Sequence, residues 1–188
     1  FTIHIQNPKV NFNNFDAIVA PEHDNLKAKN VINSKGAIHY ITQLEINKAK
    51  TYLSDKAPGQ KVVAVILGGP NKYYNFSVEE IKNIFNKIKS CFITEGYIAI
   101  IVPSMRTPAK IIDLATKEFD KNTYVVNSVD KKAYLSSLAL ATHIVVTCDS
   151  TSMISESATS GKPIFVAHMK PKRNNYRFKK FFELFKTM

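Results

Sequence analysis

The sequence predicts an α/β protein with a Rossmann-like parallel sheet covered by helices on both faces. Three observations carry this. From residue 38 onward, apolar runs of strand length alternate with segments of helical periodicity. One run, Val62 to Leu67, is apolar throughout and bounded by Gly68, Gly69 and Pro70, the profile of a strand buried on both faces. The stretch from His143 to Met169 reads as strand, hydroxyl-rich turn, short helix closed by Gly161, then Pro163 and a second apolar run, Ile164 to Ala167. That order is the repeating unit of parallel sheets.

Taken in order, Phe1 to Ile5 and Asp16 to Ala20 are strand-like and Pro21 to Asn30 reads as loop. Ala37 to Thr42 predicts a further short strand, followed by a helix from about Gln43 to Lys56 that ends before Pro58 and Gly59. Ser77 opens a helix, with Glu80 at capping-box spacing and Val78, Ile81, Ile84, Phe85 and Ile88 on one face. Tyr97 to Val102 and Thr123 to Val126 are strands, Pro108 to Phe119 and Lys131 to Thr142 helices, and Tyr176 to Lys186 a last helix.

A chain of 188 residues holds one domain, or a domain and a fragment, with room for a sizeable core. Its net charge of +11, from 26 Lys and Arg against 15 Asp and Glu, suits anionic partners. Lys is spread along the chain, and neither an RNA-binding aromatic signature nor a zinc-finger spacing accompanies it, which argues against nucleic acid. Cys91 and Cys148, far apart in apolar surroundings, read as reduced core residues of a cytoplasmic protein. No run is long enough to span a bilayer, and no secretory signal precedes the first strand. Because Phe1 already lies inside an apparent strand, the chain reads as a piece of something longer.

The chemistry is expected where strands hand over to helices. At Asp149, Ser150, Thr151 and Ser152, first-turn amides lack intrahelical partners and the helix dipole favours negative charge, so phosphate is the natural guest. Glu156, about one helical turn after Ser152, could accept hydrogen bonds from ligand hydroxyls. The same residues serve equally well as a plain helix cap, with Glu156 completing a capping box. Gly68 and Gly69 form either a tight turn or a side-chain-free approach for phosphate. On parallel strands of the same sheet both turns would open on one edge, which favours phosphate.

Four motifs in collinear order resemble one family: APEHDNL with NVI (Ala20 to Leu26, Asn30 to Ile32), LGGPNKYYNF (Leu67 to Phe76), PSMRTP (Pro103 to Pro108), and VVTCDSTSMISES (Val145 to Ser157) with GKP (Gly161 to Pro163). This is the family named after the plant mitochondrial-fission factor "elongated mitochondria", whose bacterial members are also labelled nucleoside-diphosphate-sugar epimerase-like. The resemblance implies a B-type glycosyltransferase-like architecture: two Rossmann-like domains facing a cleft, the second holding a nucleotide-sugar. On it, residues 1–37 are a remnant of the first domain and interdomain loop, 38–173 the nucleotide-sugar-binding-like domain, and 174–188 a basic aromatic C-terminal helix. Two departures stand out. The first domain, which supplies the acceptor site in such enzymes, is truncated, and Val129 to Tyr134 lacks the Asn-Pro that relatives carry before the Tyr.

The resemblance implies roles for further residues. Arg106, on the same rim, would clamp a diphosphate in bidentate fashion, or stand as a solvated surface Arg. His23, beside Asp24 in the loop expected at the cleft, would be a general base or a structural hydrogen-bonding residue. The sites expected for the nucleotide-sugar diphosphate are therefore Gly68, Gly69, Arg106, Ser150, Thr151, Ser152 and Glu156, with His23 as catalytic candidate and no metal or cofactor, the nucleotide-sugar being a substrate. Tyr52 and Lys56 have the Tyr-x-x-x-Lys spacing of sugar epimerases, but no dinucleotide-binding turn supplies a hydride carrier. The Phe residues of the last helix fall on one face among Lys and Arg, fitting packing on the protein itself, a homo-oligomer or partner chain, or a weak contact with an anionic inner-membrane surface. The resulting expectation is a nucleotide-sugar-binding, glycosyltransferase-like protein, inactive alone for want of its acceptor domain; the alternative is a non-catalytic interaction module of the same fold associating through its last helix.

Overall fold

The structure, a computed structural model, describes residues 1–119 and 123–186. The chain forms two units, one made of Phe1–Tyr40 with the segment from Asn174, the other of Ile41–Arg173. The last helix falls within the first unit.

In the first unit, β1 (Ile3–Ile5), β2 (Ala17–Pro21) and β3 (Val31–Ser34) form a parallel sheet in that order. Ile18, Ala20 and Leu26 make its core, with Phe12, Phe15 and Val31 packed on them. The Asn30 side chain donates to the carbonyls of Phe12 (2.9 Å) and Phe15 (2.8 Å), pinning the polar connection between β1 and β2. The strand expected at Ala37 to Thr42 does not form. β3 lies earlier, and Thr42 instead caps the next helix.

The second unit begins with α1 (Gln43–Ala49), whose capping box joins Thr42 and Glu45. It is shorter than expected because Lys50–Lys56 tightens into 3-10 turns. β4 (Val62–Leu67) is buried at every residue, as its unbroken apolar run requires. α2 (Val78–Ile88) starts on the Ser77–Glu80 capping box and buries Ile81, Ile84, Phe85 and Ile88, then runs into a π-helical turn, Lys89–Ile93. There follow β5 (Ile98–Pro103), α3 (Ala109–Glu118), β6 (Thr123–Val125), α4 (Lys131–Leu140), β7 (His143–Thr147), α5 (Thr151–Ala158) and β8 (Ile164–Ala167).

The strands of this unit are all parallel, in the order β6-β5-β4-β7-β8. The chain leaves β4 in one direction and returns to β7 on its other side, so a topological switch point lies between them, where ligands of open parallel sheets bind beyond the strand ends. The register Ile66↔Val146 brings the turns after β4 and β7 out on the same rim.

Two expectations are corrected here. Cys91 is exposed, because the π-helical turn carries it off the buried face, whereas Cys148 is buried. The apolar face of the last helix, α6 (Tyr176–Lys186), is not available to a partner or a membrane: Phe178, Phe181 and Phe182 are buried. Phe181 meets the His23 ring edge-on at 5.0 Å, the Arg177 guanidinium bonds Asp24, and Lys180 Nζ donates to Asn25 Oδ1 at 3.0 Å. The basic flank of the helix holds it to its own unit. Among the described residues, no helix is long and apolar enough to cross a membrane.

Candidate functional site at the sheet switch point

The turn after β4 is closed by the chain itself. Asp149, 3% exposed, reaches across from the end of β7. Its Oδ2 accepts the Gly69 amide (3.0 Å) and Arg106 Nη2 (2.8 Å), and its Oδ1 accepts the Thr147 hydroxyl (2.7 Å). The Gly68 amide donates to Thr147 Oγ1 at 2.8 Å, and Arg106 Nη1 donates to the Gly69 carbonyl at 2.9 Å. Thr107 and Asn71 complete the knot, Thr107 Oγ1 donating to the Leu67 carbonyl (3.0 Å) and Asn71 Nδ2 to the Asp149 carbonyl (2.9 Å).

This corrects the reading of Gly68 and Gly69 as amide donors to a diphosphate. Both amides are committed, and a carboxylate occupies the place an anion would take. The glycines are needed for another reason. A Cβ at Gly68 would stand 2.1 Å from Asp149 Oδ2, and one at Gly69 would stand 2.0 Å from the Arg106 carbonyl oxygen. Arg106 lies on the expected rim with its side chain 40% exposed, and its guanidinium is paired with Asp149 instead of waiting for a diphosphate.

The turn after β7 differs. Ser150 is the N-cap of α5, its Oγ accepting the Met153 amide at 3.4 Å. The amides of Thr151 and Ser152 make no hydrogen bond among the described residues, and Ser152 is exposed. Glu156 does not close a capping box, because the third helical position is Met153. Instead its Oε2 accepts the Tyr134 hydroxyl at 3.1 Å from α4. Burial, then the Glu156 charge, push the Tyr134 phenol well above its usual range, so it is a fixed donor. Ser150, Thr151, Ser152 and Glu156 thus share one helix at the rim, with Tyr134 beside the carboxylate.

His23 belongs to the other unit. It is 3% exposed, neither ring nitrogen has a hydrogen-bond partner, and Nε2 is 3.7 Å from Asp24 Oδ1. Burial lowers its pKa against the opposing pull of Asp24. Sealed beneath Phe181, this ring is a packing element and not a base open to an acceptor hydroxyl. Tyr52 and Lys56 do not act together either: Tyr52 donates to Asp130 Oδ2 at 2.8 Å, which raises its pKa, while Lys56 pairs with Asp55. An epimerase-type tyrosine requires the opposite shift. Among the described residues, no group of three His, Cys, Asp or Glu could hold a metal ion.

Thr147 and Asn71 carry no local signal of their own, Tyr134 stands out only within a divergent loop, and Asp149 reads from sequence as part of the anion-site turn or as a helix cap. The one local signal for the knot was an acidic residue directly following a buried strand.

The family model described as "Mitochondrial fission ELM1" matches residues 1–187. The chain belongs to this family. It is 28% identical to the Mitochondrial fission protein ELM1 of Arabidopsis thaliana, over 88% of this chain and 45% of that protein. It is also 28% identical to an uncharacterized protein of Rickettsia prowazekii (strain Madrid E), over 96% of this chain and 61% of the relative. The chain therefore spans about half the length of the curated relatives it matches. Two solved structures overlap it in part. POFUT1 in complex with GDP has a TM-score of 0.43 at 14% identity, covering 65% of this chain and 46% of its own. The wall teichoic acid polymerase TagF has a TM-score of 0.42 at 10% identity, covering 82% and 39%.

Proposed function

We propose that the Ile41–Arg173 unit is a glycosyltransferase-like module that binds a nucleoside diphosphate sugar at the N-terminus of α5. The observation that carries this is the pair of open amides at Thr151 and Ser152, set at the switch point of a parallel sheet with the Glu156 carboxylate one to two turns further along the same helix. The diphosphate would rest on the amides, and Glu156, oriented by Tyr134, would accept bonds from ribose or sugar hydroxyls. Asp149 and Arg106 serve this site as a rigid floor. If transfer follows, the acceptor oxygen bonds to the anomeric carbon as the bond to the diphosphate breaks. The departing electron pair is then stabilised by the α5 amides. The acceptor and the group taking its proton would come from outside this unit.

The reading is tested by thermal denaturation with a panel of UDP and GDP sugars. A bound ligand raises the melting temperature by mass action, with a stabilisation of about 2.7 kcal/mol at a hundredfold excess over Kd. Glu156→Ala should remove the shift. No shift across the panel at millimolar concentration would overturn the proposal.

A second reading, a non-catalytic interaction module of the same fold, is favoured by the Asp149 carboxylate filling the glycine turn. Because Phe178, Phe181 and Phe182 are buried, its surface would not be the apolar face of α6.

A further inference from the structure

A cavity of about 670 Å³ lies on a face of the second sheet, away from the α5 site and independent of the nucleotide reading. Its floor is Val145 of β7 and, in register with it on the edge strand, Phe165 of β8. α5 is the helix that packs on these two strands, yet Phe165 remains 51% exposed. The opposite wall is the end of α2, Ile84 and Ile88, continued by the π-helical turn that carries Cys91 and Phe92.

One end of the cavity is aromatic. Phe92 lies 5.3 Å from Tyr97, 5.7 Å from His143 and 5.8 Å from Phe165, measured between ring centroids. Tyr97 and His143 are fixed to each other by a hydrogen bond of 3.2 Å between the hydroxyl and Nδ1. Lys61 sits over the Tyr97 ring at 5.6 Å, and Lys87 lines the same cavity. Among the described residues, neither ammonium pairs with a carboxylate, and Glu95, also on the wall, offsets only one of the two charges.

We propose that this groove is a binding site for a small amphiphilic monoanion, an acyl chain ending in a carboxylate. The volume is that of a ligand pocket, much of the wall is apolar or aromatic, and the formally charged groups, Lys61 and Lys87 against Glu95, are net positive. The chain would lie along Ile84, Ile88, Val145 and Phe165, and its carboxylate would meet Lys61 and Lys87. The charge argues for a carboxylate over a neutral lipid or an apolar segment of protein, neither of which would use the lysines.

Cys91 supplies the measurement. It lines the groove and is exposed, whereas burial pushes the Cys148 thiol up to about 11, so a maleimide reports Cys91 alone. Dodecanoate, below its micellar concentration, should slow Cys91 labelling saturably, and dodecanol should do so with about tenfold weaker apparent affinity. Lys61→Gln with Lys87→Gln should erase that preference, while Phe165→Glu, at an exposed position, should weaken both compounds. Unchanged labelling with dodecanoate would overturn the proposal. So would equal protection by acid and alcohol, or protection that rises with protein concentration alone together with a dimer in light scattering, which would make a second copy the occupant.

Discussion

The turns after β4 and β7 stand side by side on one rim, and each was expected to present backbone amides to a ligand. They differ in what the chain itself brings to them. The glycine turn lies within reach of the Asp149 carboxylate, which takes the Gly69 amide directly and the Gly68 amide through Thr147. In the hydroxyl turn the Ser150 cap takes the Met153 amide, and among the described residues the Thr151 and Ser152 amides stay open. A run of small residues at a strand end therefore creates the possibility of an anion site, and whether that site is vacant depends on the side chain that arrives from the neighbouring strand.

The comparison is broken most severely at Gly69. A methyl there would strike the Arg106 backbone, which has no rotamer to escape into, so Gly69→Ala should cost about 3 kcal/mol or more in urea unfolding. Asp149→Ala should cost about 2–3 kcal/mol by leaving the Gly69 amide, the Thr147 hydroxyl and Arg106 without their acceptor. Inorganic phosphate should stabilise Asp149→Ala more than it stabilises the parent, since the variant has the glycine turn open in addition to the α5 amides. Gly68→Ala sharpens the contrast, because the atoms nearest its methyl belong to the Asp149 side chain. Combined with Asp149→Ala, it should be less damaging than the two single costs added, by about 1–2 kcal/mol in a double-mutant cycle. Gly69→Ala should show no such relief. Ser150→Ala, on the open turn, should cost about 1 kcal/mol through loss of the N-cap.

Much of the fold was legible because its determinants are local. The capping box of Ser77 and Glu80 was readable from spacing, and the Val62–Leu67 strand from an apolar run with glycine at its end. β3 was missed because VINS at Val31–Ser34 alternates weakly, while the more apolar Ala37 to Thr42 region was taken by the cap of α1. Within the candidate site, the helix start at Ser150 was legible. The links from Glu156 to Tyr134, 22 residues away in sequence, and from Asp149 to Gly69, 80 residues away, were not.

The sequence by itself determined the alternation of strands and helices, the positions of the two turns and the membership of the family, because periodicity, capping and motif order are properties of neighbouring residues. Only the tertiary structure decided which turn is filled, that the Phe face of α6 is turned inward, and that Cys91 opens onto a groove. Each depends on which segments distant in sequence are laid against one another. A buried carboxylate or an aromatic face takes its meaning from that partner, and local pattern does not name it.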